Sequence, residues 1–220
     1  MIKAKKGLET SKQTRITNFI NSGAISGSDD QGINFAYSIL TNFINTGMIK
    51  GNSKEGVFFN NSRVSIFIIV GRLQEVGNNS AAINLGKNND RTTTTTITTF
   101  DNQGLIGGNN SKFGILSYDS TINTFKNSGT IESQNGEALY LRNSTITNFE
   151  NSGSIIGQNY GIQLYGGKIT TLTNSGLIKS KENRDQSDKP VQFNYTASAL
   201  NIQDATIDTF TNSGTLEGIL

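Results

Sequence analysis

Residues 146–155 read ITNFENSGSI, and residues 122–131, set 24 positions earlier, read INTFKNSGTI. The same frame returns without gaps as ITNFINSGAI (16–25), LTNFINTGMI (40–49), VSIFIIVGRL (64–73), ITTFDNQGLI (97–106), ITTLTNSGLI (169–178) and IDTFTNSGTL (207–216). Its glycines fall at Gly23, Gly47, Gly71, Gly104, Gly129, Gly153, Gly176 and Gly214, so successive intervals are 24, 24, 33, 25, 24, 23 and 38. A period near 24 with two lengthened intervals is the signature of a stacked repeat, in which each unit covers the apolar face of the one before.

A second landmark sharpens the frame. Gly32, Gly56, Ala82, Gly114, Ala138, Gly161 and Ala199 each open a short run of alternating apolar residues, and the next repeat glycine follows 15 positions later in six of the seven cases. The exception holds the tract KNNDRTTTTT. Phe19, Asn21, Gly23 and Ile25 recur at spacing two, which is strand geometry with one face inward, and no 3.6-residue period competes with it. Ile16 and Phe19 are three apart, so the alternation must change phase at a corner or bulge near Thr17 and Asn18.

The expected fold class is therefore all-β: a parallel β-helix (β-solenoid) of about eight coils of about 24 residues, with three short strands per coil. At about 4.8 Å per coil the rod would be about 40 Å long. Residues 16–220 form a single β-helix domain, with loop insertions near 86–96 and 180–196. Residues 1–15 form an N-terminal segment, either a degenerate coil or disordered.

Composition narrows the function classes. The chain of 220 residues is 34% hydrophobic and 16% charged, too uncharged for a typical disordered chain and too polar for a membrane protein. Its formal net charge is +2, with cations scattered rather than gathered into a stripe, so nucleic-acid binding is not expected. Cys and His both number 0, which removes disulfides, thiolate nucleophiles, imidazole bases and the commonest zinc ligands. No catalytic residue, cofactor or metal site is expected, and no run of about 18 apolar residues provides a membrane span. The basic start MIKAKKGLETSKQTR is followed by no apolar stretch of signal-peptide length.

The recurring F-x-N-S-G-x-I unit, in coils of about 24 residues without Cys, resembles the passenger regions of autotransporters, in particular the vacuolating-cytotoxin-like autotransporters of host-associated Gram-negative bacteria. The resemblance covers nearly the whole chain, from about Ile16 to Leu220, and it is specific for architecture. It implies a right-handed β-helix exported through the outer membrane and displayed on, or released from, the cell surface, with a part in adhesion, colonisation or toxin delivery. The partners it implies are a host-cell surface receptor or glycan, the rest of a parent passenger and its outer-membrane barrel. A signal peptide, terminal membrane strands and the toxin's apolar N-terminal segment have no counterpart in the sequence, so toxin activity does not carry over.

Several residue groups are candidates for a role. Asn21, Asn45, Asn102, Asn127, Asn151, Asn174 and Asn212 share one repeat position and read as a buried amide ladder. The glycine two places later reads as a corner conformation that a Cβ would strain. Ile20, Ile44, Ile66, Ile68 and Val70 should face outward and form an apolar stripe for a partner or for another part of the parent protein. Later coils carry Asp101, Lys126 and Glu150 in place of Ile68, a surface charge ladder. Tyr118, Tyr140 and Tyr165 lie on another strand face, where they are either plain strand formers or platforms for sugars. Lys87, Asn88, Asn89, Asp90 and Arg91 in the first insertion, and Arg184, Asp185, Asp188 and Lys189 in the second, are candidate recognition residues, since loops on a rigid scaffold vary without disturbing it. An ice-binding array of Thr17, Thr41, Thr98, Thr147 and Thr170 is interrupted by Ser65, Asn123 and Asp208. The alternative from a different class is a β-helix polysaccharide lyase or glycoside hydrolase, which needs clustered carboxylates on adjacent coils; Asp119 and Asp204 share a column but not adjacent coils, and Asp29 and Asp30 sit at a corner.

Overall fold

The structure is a computed structural model that describes residues 5–77, 80–86, 94–108, 110–181 and 197–218. Its strands form three parallel sheets of eight. Sheet A runs from Leu8–Thr10 to Ser198–Gln203, sheet B from Arg15–Asn21 to Thr206–Asn212 and sheet C from Ala24–Ser26 to Thr215–Glu217. The chain visits A, B and C in turn, as in Glu137–Arg142, Thr145–Asn151 and Ser154–Gly157, and then climbs one step. The protein is thus an all-β parallel solenoid of about seven turns with coils of about 24 residues, and the described residues contain no helix. Leu8–Thr10, within the 1–15 segment, is the first strand of sheet A and pairs with Ile33–Phe35.

Register explains why the frame recurs so strictly. Phe19 lies beside Phe43, Phe43 beside Phe67, and the column continues through Phe100, Phe125, Phe149 and Leu172 to Phe210. Neighbouring rings are 4.6 to 5.1 Å apart along Phe19, Phe43, Phe67, Phe100, Phe125 and Phe149, some stacked and some edge to face. Phe35 and Phe59 from sheet A close on the same interior, so one continuous core fills the triangle between the sheets.

The phase change near Thr17 is a bulge inside a continuous strand, not a corner. In Thr145–Asn151 the inward residues are Ile146, Phe149 and Asn151, while Thr147 and Asn148 both face out. Pairing passes from Ile146 to Asn148 in step with Ile122 and Thr124 below, so the bulge is repeated coil over coil.

The corner between sheets A and B is left-handed. Tyr37, Asn61, Asp119, Asn143 and Asp204 occupy it with φ from 48° to 54°, a region in which Asn and Asp are the least strained non-glycine residues. The serines that follow keep its backbone satisfied: Ser62 Oγ donates to Phe35 O at 3.1 Å, and Ser120 Oγ to Leu85 O at 3.2 Å.

The repeat glycines have a different origin from the expected one. Positive φ among the described glycines is confined to Gly86, Gly107, Gly166 and Gly167, none of them repeat glycines. Instead, a Cβ on Gly47, Gly71, Gly104, Gly129, Gly153, Gly176 or Gly214 would lie 2.0 to 2.2 Å from the carbonyl oxygen of the repeat glycine one coil earlier. Close approach of successive backbones, not backbone conformation, excludes a side chain there.

Candidate functional site

The asparagine column is a hydrogen-bond ladder with one direction. Asn21 Nδ2 donates to Asn45 Oδ1, and Asn102, Asn127, Asn151 and Asn174 each donate to the next asparagine, Asn127, Asn151, Asn174 and Asn212 in turn, every bond at 2.7 Å. The same amides also reach backbone carbonyls, as Asn127 Nδ2 does at Ser154 O. From Asn21 to Asn174 the amide donors are spent inside the rod, which suits a scaffold. Ile69 interrupts the column, and Asn102 Oδ1 is left buried without a donor.

The outward isoleucines lie where the frame puts them. Ile20, Ile44 and Ile68 form one column on sheet B, and Asp101, Lys126 and Glu150 continue it. Ile20 is 66% exposed, Val70 47% and Ile66 39%, whereas Ile44 and Ile68 are half-buried. Further along, Lys126 and Glu150 pair at 3.5 Å with both side chains in solvent, a contact of a few tenths of a kcal/mol. A groove of about 470 Å³ runs beside them, lined by Asp101, Lys126, Glu150 and the corner hydroxyls of Ser128, Ser152 and Ser175.

The richest face is the outer surface of sheet A. Tyr118, Arg142 and Tyr165 stand in one column, with Tyr140 in the next. Tyr140 meets Tyr118 at 6.2 Å and Phe113 at 5.5 Å, and the Arg142 guanidinium lies 5.6 Å over the Tyr165 ring. Removal from water raises the Tyr118 and Tyr140 hydroxyl pKa values, with the neighbouring Arg142 acting in the opposite sense at both. Strand parity finds the three tyrosines and also places Arg142, two residues after Tyr140, on their face; it misses Phe113, which has the parity of the inward Ile115.

The carboxylates do not gather. Asp119 and Asp204 are left-handed corner residues, and Asp30 is held by Lys54 at 3.0 Å. Glu75 faces inward at 0% exposure on sheet C, where burial, with Glu55 contributing, pushes its carboxyl up to about 7. Among the described residues no group of three or more Asp, Glu, His or Cys is placed to hold a metal ion, and no helix is long and apolar enough to cross a membrane. Lys87, Asn88, Asn89, Asp90, Arg91, Arg184, Asp185, Asp188 and Lys189 lie outside the described residues. The strands that flank the two insertions are described: the first insertion follows the sheet A strand Ala81–Leu85, and the second follows the sheet C strand Leu177–Ser180 and precedes the sheet A strand Ser198–Gln203. Sheet A is therefore the sheet on whose borders both insertions open.

Fold and faces together define a stacked-coil repeat protein, a three-sided parallel β-solenoid. Comparison with family models, with curated proteins and with solved structures returns no match for the chain.

Proposed function

We propose that this chain is a non-catalytic passenger segment of an autotransporter, a right-handed β-helix of eight coils exposed at the bacterial surface or secreted, which acts as a rigid stalk and adhesin toward host cells. The hand follows from the strong preference of parallel β crossovers for right-handed connections. Export as an unfolded chain suits a sequence without Cys.

One observation carries the reading. Among the described residues each sheet pairs coil over coil from its first strand to its last, and the buried asparagine column bonds along itself, which supports a sequence spent on stiffness rather than on a reactive centre. Recognition is assigned to the outer face of sheet A, where Tyr118, Tyr140, Tyr165 and Arg142 offer aromatic and guanidinium surface to a glycan or glycosylated receptor. The apolar stripe of Ile20, Ile44, Ile66, Ile68 and Val70 is assigned to the rest of the parent passenger.

The test is binding of labelled chain to cultured host cells before and after periodate oxidation of their surface glycans. Saturable binding is expected, lost on oxidation and lost again in the double variant Tyr140→Ala, Tyr165→Ala. Binding indifferent to both treatments would refute the recognition face, and turnover of an acidic polysaccharide by the purified chain would refute the non-catalytic reading.

A further inference from the structure

We infer that the Glu55 carboxylate, together with the side-chain carbonyls of Gln31 and Asn84, forms a calcium site that staples three successive coils along sheet A. Buried polar atoms without a partner are few in folded proteins, and each calls for a cause such as a bound ion or water. Among the described residues Gln31, Asn34, Asn60 and Asn84 each hold a buried amide oxygen to which nothing donates. All four belong to three consecutive coils of one sheet. Asn34 and Asn84 flank Phe58 in a single column, Asn60 stands two residues beyond Phe58, and Gln31 lies at the corner that leads into Ile33–Ala36.

Glu55 gathers two of these amides. Gln31 Nε2 donates to its Oε2 at 3.1 Å and Asn84 Nδ2 to its Oε1 at 3.1 Å, so one carboxylate in the middle coil holds a side chain from the coil on either side. Gln31 is 7% exposed and Asn84 9%. Each unpartnered oxygen shares its amide carbon with the nitrogen bonded to Glu55, which places it beside that carboxylate. Among the described residues no lysine or arginine pairs with Glu55; Lys54 is held by Asp30 and Lys6 by Glu9.

A carboxylate and two amide carbonyls are hard oxygen donors from the set that calcium takes, with water filling the rest of its shell. Magnesium demands a tighter octahedron and keeps more of its water. With a single carboxylate the site falls among weak extracellular ones, with a dissociation constant of about 0.1 to 1 mM. A count of Asp, Glu and His alone passes over it, because two of its three ligands are amides. Binding turns each amide half a revolution, which exchanges N and O within nearly the same volume. The turn gives up one N–H···O bond apiece and no acceptor bond, since neither oxygen has one. Because the ligands come from three coils, a bound cation opposes their separation and stabilises the folded chain.

The experiment is thermal melting of the full chain by circular dichroism, first with chelator and then with calcium or magnesium chloride. At about 10 mM, calcium should raise the melting temperature by about 3 to 11 °C, and magnesium by less than half as much. Glu55→Gln should fold with the parent's spectrum and lose the calcium shift. Asn84→Asp adds a second carboxylate and should tighten calcium binding about tenfold in a calorimetric titration, a gain that no folding defect imitates. Glu75→Gln and Glu150→Gln, which remove carboxylates elsewhere, should respond like the parent. A parent indifferent to calcium, an equal response to magnesium, a Glu55→Gln chain that keeps the shift, an Asn84→Asp chain that binds no tighter, or a Glu75→Gln chain that loses the shift would overturn the site.

Discussion

Adding one methyl group at Gly153 should unwind more stability than its size suggests. The new Cβ would lie 2.1 Å from Gly129 O and 2.6 Å from the Ser128 carbonyl carbon, well inside contact distance, and both are backbone atoms of the preceding coil. Relief requires the two coils to part by about 1 Å, since non-bonded carbon and oxygen settle a little beyond 3 Å. That movement strains Ser152 N–H and Gly153 N–H on Asn127 O at 2.9 and 3.0 Å, Ser154 N–H on Gly129 O at 2.9 Å, and the Asn127–Asn151 amide bond at 2.7 Å. Losing most of four hydrogen bonds at about 1 kcal/mol each gives about 3 to 4 kcal/mol. For a chain of this size that corresponds to about 6 to 16 °C in melting temperature. Far-ultraviolet circular dichroism on Gly153→Ala, with Gly23→Ala, whose Cβ would meet nothing within 4 Å, as the internal control, measures it. Both variants gain the same restriction of the unfolded chain, so their difference isolates the crowding. Equal melting temperatures for the two would refute the view that backbone approach, rather than backbone conformation, keeps these positions glycine.

Asn127→Ala should cost about 1 to 3 kcal/mol by leaving the Asn151 acceptor buried without a donor, while Asn102 Nδ2 loses its 2.7 Å acceptor but keeps Gly104 O and Thr130 O, and Asn212→Ala, which removes only the last acceptor, should cost less in the same urea titration. Glu75 titrates near 7 when folded against a usual 4.5, so the folded chain holds a proton that the unfolded chain has released between those values. Stability is therefore highest below about 4.5, falls as pH rises to about 7 and is level above, by at most about 3 kcal/mol; Glu75→Gln should melt higher than the parent in alkaline buffer and lose that advantage in acid, and a pH-independent gap would refute the assignment. Tyr37 sits at φ 54° in a corner that other coils fill with Asn61, Asp119 or Asn143. Tyr37→Asn should raise unfolding free energy by about 0.5 kcal/mol in urea, and a loss would show that the ring contributes more than its backbone strain costs.

How far the sequence could be read depends on what each position must satisfy. The columns of Phe19 and Asn21 were legible because inward burial and ladder bonding each admit few residues, so chemistry repeats along with position. The outward isoleucines followed from parity once those columns were fixed. The left-handed corner was not legible, because the conformation accepts Tyr37 as well as Asn61 and its neighbours vary. The need for glycine at Gly153 was visible, but a pattern of absent side chains does not distinguish a torsion from a collision. Glu75 was hidden among small residues such as Gly51 and Gly108 in the same inward column, and only packing reveals that a carboxylate fills their space. At the aromatic face, Phe113 escaped because strand parity is ambiguous at the first residue of a strand.

Ile69 has an electrical consequence as well as a steric one. Amides that donate in a single sense add their dipoles, and each bond polarises the next. A hydrocarbon at one rung insulates the pair Asn21–Asn45 from the run Asn102–Asn212. The rod therefore carries two separate trains of aligned dipoles, and amide hydrogen exchange under mild denaturant should first open at the seam between them.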